Sequence, residues 1–202
     1  MSSLLARVAH HEAAHAVVAE ALGAPVHLAT IVPTPGHRAW VEYGAASAEV
    51  TILVAYAGPI AAARHAGRLL RYTAGGVGRR SAAMLYFGAS NDLSAAATAA
   101  GLGSPRTDGS ERRAYLRWLW ERARVLVDAR WHEVAALAVE FLARGTMDGA
   151  EVRSAIRRAR QAWKLTGGIQ TKKGPARDGR TRRALAVRRR AGEPRHSNLR
   201  SW

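Results

Sequence analysis

A chain of 202 residues with a net charge of +16 is long enough to bury one sizeable core. It has no cysteine, which excludes disulfides, thiolate metal sites and a cysteine nucleophile. No stretch approaches the roughly 18 uninterrupted apolar residues of a membrane-crossing helix, and the N-terminus lacks the charged-then-apolar pattern of a secretory leader, so the expected location is the cytoplasm.

The first expected element is a helix capped by Ser2 or Ser3, ended by Gly23 and barred from continuing by Pro25. Within it lies His11-Glu12-Ala13-Ala14-His15, an HExxH motif. Residues four apart stand one above the other on a helix, so two imidazoles can grip one Zn²⁺ while the Glu after the first His reaches water beside the metal. With 8 His and 10 Glu in the chain, independent placement produces the pattern in roughly one or two such chains per hundred. The helical context therefore carries weight. Leu4, Val8, His11, His15, Val18 and Leu22 follow one another at steps of three or four, which predicts a single core-facing stripe holding both histidines. His10 points about 100° away and is expected behind the ligands or on the surface.

Val26 to Val32 reads as a strand stopped by Pro33, and Arg38 to Tyr43 as a second, giving a β-hairpin around Pro33-Thr-Pro-Gly36. A helix follows over 48–66, with Val50, Val54, Ala57 and Ala61 on one face, Gly67 as its stop and Pro59 expected to kink or divide it. Residues 68–88 form a glycine-broken connection, and Gly88-Ala-Ser-Asn-Asp-Leu93 leads into a small-residue helix over 94–100. Ser110 starts a long helix to Asp128, a second runs from Arg130 to Arg144 before Gly145, and a third opens with the capping box Asp148-Gly-Ala-Glu151 and reaches about Trp163. Trp118, Trp131, Leu137 and Phe141 are expected in the core of this bundle.

From Lys164 onward there are 12 Lys and Arg against only Asp178 and Glu193. This tail reads equally as a weak arm for nucleic acid or an acidic partner, or as a solvated extension in an arginine-biased composition. It is expected to lack stable structure from about residue 166. The predicted fold class is mostly α (α+β), with a small β-hairpin and a C-terminal helical bundle, in a domain over 1–163 followed by the basic tail over 164–202.

A catalytic zinc takes three protein ligands and keeps one position open. Without cysteine the third must be His, Asp or Glu, and Asp92, in a tight cap before the small-residue helix, is the best candidate. A helix-start carboxylate favoured by the dipole is its competing role.

His11-Glu-Ala-Ala-His-Ala-Val-Val18, followed by Val26-His-Leu-Ala-Thr-Ile-Val-Pro33, resembles the peptidase domain of the FtsH family of AAA+ zinc proteases. Gly88 to Leu93 is similar to the segment that supplies that family's aspartate ligand, and Ala123 to Ala138 and Phe141 to Val152 resemble the end of its domain. The resemblance spans roughly 4–160. It implies zinc held by His11, His15 and Asp92, with Glu12 as general base, in an endopeptidase for unfolded or flexible polypeptides. The family's ATPase module and membrane anchor have no counterpart in this sequence, so an unfoldase would be a separate partner, and the oligomeric state is left open. Around Ala57-Gly-Pro-Ile-Ala-Ala-Ala-Arg64, Pro59 stands where the family carries Arg, and Ala62 and Ala63 where it carries an acidic pair. The peptide is expected to add as a strand along Val26–Val32 or Arg38–Tyr43. Two rival readings are a zinc-stabilised, non-catalytic regulator binding nucleic acid through its tail, and a regulator-cleaving peptidase with a different third ligand.

Overall fold

The computed structural model describes residues 4–33, 39–68, 72, 98–99 and 110–167. Helix α1, Leu4–Ala21, forms the centre of the domain. Its middle is built from Ala9, Ala13, Ala14, Ala16, Val17, Val18 and Ala19, all fully buried, with the histidines and Glu12 among them. Small residues on every side let neighbours close in all round. The expected single apolar stripe is therefore too narrow: the middle of α1 is buried on all faces, and the helix is not a surface helix with one buried side. The stripe's first residue, Leu4, is 66% exposed. At the other end Gly23 stops the helix, with Ala24 N–H donating back to the Ala19 carbonyl at 2.9 Å.

Strands β1, Val26–Thr30, and β2, Trp40–Tyr43, pair antiparallel as expected, with a register irregularity between Val26 and Leu28. The β-element is larger than the hairpin read from the sequence. A third strand, β3, Thr146–Asp148, pairs antiparallel on the other side of β1, giving the order β2-β1-β3. β1 is thus the central strand, and the expectation of a peptide adding along Val26–Val32 fails because both its edges are paired. Of the two strands considered, only β2 is an outer strand.

Helix α2, Ala48–His65, is capped by Ser47, whose hydroxyl accepts from Val50 N–H. It runs unbroken through Pro59, contrary to the expected division. Pro59 cannot donate to the Ala55 carbonyl, but burial of every residue from Ile52 to Ala63 holds the helix together on all sides. Ala62 and Ala63, where the resemblance would place acidic side chains, are 1% exposed and pack with Ala66 in a small apolar cluster.

Helices α3, Ser110–Ala129, α4, Trp131–Arg144, and α5, Gly149–Leu165, wrap this centre. α3 packs on α2 through a stripe of Leu116, Leu119, Trp120, Ala123 and Val127, and Arg64 and Glu49 of α2 pair with its Asp128 and Arg122. Leu137 and Phe141 of α4 are fully buried, as expected, while Trp131 is partly buried against the core. Trp118 is a correction. It is 50% exposed, because it stands across the helix from the buried stripe, and the buried tryptophan is Trp120. The Asp148–Glu151 capping box is present in both halves. Glu133, buried between α4 and α5, receives Arg160 in bidentate fashion at 3.0 and 3.1 Å and Arg130 at 3.2 Å. At the junction of α1, β1 and α5, Glu20 Oε1 accepts from Val26 N–H at 2.8 Å and from Arg153 at 3.3 Å.

Candidate metal centre

The side chains singled out by the HExxH pattern lie where α1 meets α2, the largest helix–helix contact of the domain. His11 and His15 are 8% and 7% exposed and Glu12 is 6% exposed, so the motif is buried within the fold. The two imidazoles stand edge to face, with ring centroids 4.7 Å apart and planes at 78°.

Their Nε2 atoms converge. A Cβ built on Gly58 of α2 would lie 2.4 Å from His15 Nε2 and 2.6 Å from His11 Nε2. Both nitrogens therefore face the α2 backbone at Gly58, the one α2 residue without a side chain. His15 Nδ1 donates to the Val54 carbonyl at 2.7 Å. A carbonyl can only accept, so Nδ1 carries a proton, and in the neutral ring Nε2 is the nitrogen that would face a metal. Val54 stands one turn before Gly58, so one helix supplies both the partner that orients His15 and the side-chain-free position its ring packs against. The donor set is of the type zinc prefers: two imidazole nitrogens at i and i+4 of one helix, in a buried setting.

Asp92, the expected third ligand, lies outside the described residues, as do the 73–97 segment around it and the basic tail from residue 168. Among the described residues no cluster of three or more metal-ligating side chains occurs. Of the expected helix over 94–100, Thr98 and Ala99 are described, and both are helical.

His10 does not face this cavity, nor does it lie on the surface. It is 8% exposed and stacks on His65 of α2 with ring centroids 3.7 Å apart, and on Trp131 of α4 at 5.5 Å. Its Nδ1 donates to the Ala6 carbonyl at 2.7 Å. Burial pushes its pKa down to about 4, with the Ala6 hydrogen bond opposing and the neighbouring His65 adding to the fall. His65 is also lowered, by burial first and then by the Arg7 charge. On Trp131 the guanidinium of Arg64 lies 4.3 Å from the ring centroid. This neutral stack ties the C-terminal end of α2 to α1 and α4 on the flank of the His11–His15 pair.

Sequence reasoning missed Gly58 and the Val54 carbonyl. The carbonyl leaves no trace in residue identity. Gly58 left one: a glycine inside an otherwise apolar helix costs roughly 1 kcal/mol relative to Ala, and so signals a close approach. No family model and no curated protein matches this chain.

Proposed function

We propose that this domain is a zinc-dependent endopeptidase of the FtsH type, hydrolysing peptide bonds of unfolded or flexible polypeptides. The observation that carries the reading is the convergence of His11 Nε2 and His15 Nε2 beside Gly58, with the His15 tautomer set by the Val54 carbonyl. His11 and His15 would hold the metal, and Asp92 is the proposed third ligand. Bound zinc would supply Lewis acidity, polarising a scissile carbonyl and making water acidic enough to ionise near pH 7. Glu12, one residue after the first ligand and equally buried, takes the proton of the attacking water and returns it to the leaving amine. Its burial excludes bulk solvent from that transfer. A substrate strand would add along the outer edge of β2, since β1 is paired on both sides. Among the described residues no helix is long and apolar enough to cross a membrane.

The test is Glu12→Gln, which should retain stoichiometric zinc and lose cleavage of an unfolded protein such as casein. Cleavage at the wild-type rate would overturn the assignment. Zinc retention without cleavage by the wild-type protein would favour a zinc-stabilised regulator instead. Metal analysis of Asp92→Ala decides the third ligand: stoichiometric zinc in that variant removes Asp92 from the site.

A further inference from the structure

We propose that Gly58 lets His11 and His15 hold the positions a metal would need, acting as a positioning residue through the absence of a side chain; the inference rests on the zinc-peptidase reading of this site. Gly58 lies in the middle of α2, buried, in a stretch otherwise made of Ala, Ile, Val, Leu, Tyr and Pro. A helix interior disfavours glycine, so its presence calls for a local cause. The cause is the distance to α1. A Cβ at this position would come within 2.6 Å of three imidazole atoms, namely both Nε2 atoms and His15 Cε1, whereas real Cβ atoms do not approach neighbours closer than 3.0 Å.

The His15 ring cannot simply step aside. His15 is held at 2.7 Å to the Val54 carbonyl on the same helix as Gly58, so moving its Nε2 outward strains or breaks that hydrogen bond. A metal site tolerates errors in ligand distance of only about 0.2 Å. A methyl on residue 58 would displace the imidazoles, and with them any metal they would hold. Pro59 adds a second demand: the residue before a proline is pushed out of the helical conformation by a clash that involves its own Cβ, and glycine avoids that part of it. The two demands separate on substitution. Replacing Pro59 by Ala removes the second and leaves the first.

The experiment compares the full-length wild type, Pro59→Ala, Gly58→Ala/Pro59→Ala and His15→Ala, each stripped of metal and titrated with zinc alone against a chromophoric chelator. Helix content and melting temperature of the metal-free proteins are followed in parallel. Pro59→Ala should bind zinc within about 10-fold of wild type, and the double variant about 100-fold or more weaker, an effect at the upper end of outer-shell substitutions at metal sites. Its metal-free helix content and melting should match those of Pro59→Ala. A double variant that binds zinc as tightly as Pro59→Ala overturns the inference while leaving the zinc site standing. So does one that unfolds without metal, because Gly58 would then be a packing requirement of α1 on α2. Failure of the underlying reading has a different signature: no stoichiometric zinc in wild type, or zinc unaffected by His15→Ala.

Discussion

Gly149→Ala is the substitution whose cost can be worked most directly from the coordinates. Gly149 is the first residue of α5, and a Cβ there would stand 1.9 Å from the Val26 carbonyl oxygen and 2.9 Å from its carbon, where 3.0 Å is the practical limit. The first turn of α5 and the start of β1 must therefore separate until that limit is met. Neither side yields freely. Val26 N–H is bound to Glu20, Arg153 donates to the Val26 carbonyl at 3.2 Å, and Asp148, one residue before the substitution, is in register with Leu28 on β1. Overpacking costs about 1–3 kcal/mol, and loss of one or two of these hydrogen bonds adds about 1 kcal/mol each. The better helix propensity of Ala returns at most about 1 kcal/mol. The expected net loss is about 3 kcal/mol, a large share of the stability of any domain, and close to a 10 °C fall in melting temperature for a chain of this length. Urea unfolding followed by circular dichroism measures it, with an unchanged m value showing that the same cooperative unit unfolds. Gly23→Ala is the comparison, because a Cβ there meets nothing within 4 Å and only the positive φ of 80° is penalised, at about 1–2 kcal/mol. If Gly149→Ala is no more destabilising than Gly23→Ala, the close approach of α5 to β1 is not real.

Two further outcomes follow from the core and from the histidine stack. Trp120→Ala should cost about 3–5 kcal/mol in urea unfolding and Trp118→Ala less than about 1 kcal/mol, because Trp120 is fully buried and Trp118 is half exposed beside Arg122 and Tyr115; equal costs would contradict the placement of α3. Burial lowers the pKa of His10 to about 4 and lowers that of His65, so between their ordinary value of about 6.5 and the folded one the unfolded chain binds more protons. Metal-free protein should keep its full stability above about pH 6.5 and lose about 1–2 kcal/mol by pH 5, a loss that His10→Gln reduces; a pH profile unaltered by His10→Gln would argue against the buried stack.

What the sequence disclosed was what local chemistry writes into residue identity. The Asp148 and Glu151 capping box, the glycine stops at 23, 67 and 145, and the two paired strands before and after Pro33 are all matters of a few adjacent residues, and they are found where expected. The burial of His11 and His15 was legible for the same reason, since helical spacing alone puts them on one side. Features that depend on tertiary proximity were not legible. β3 is three residues long, between a helix and a helix cap, and only its position beside β1 makes it a strand. Trp118 and Trp120 are two residues apart on the same helix and equally apolar, and choosing between them requires knowing which face meets α2. The stripe through Leu4 and Val8 assumed solvent on the far side of α1, where the fold places protein.

The hydrogen bond from His15 to Val54 joins residues 39 positions apart in the chain. A peptide copying α1 alone would carry every letter of HExxH, yet its His15 would exchange freely between tautomers and its two imidazoles would face water. The competence of this motif is thus a property of docked helices, acquired when α1 and α2 come together. Any metal that selects this arrangement draws part of its affinity from that docking, so chelation and folding become one equilibrium seen from two sides. On the proposed zinc reading, a reagent that loosened the α1–α2 seam would release a bound metal without touching a ligand.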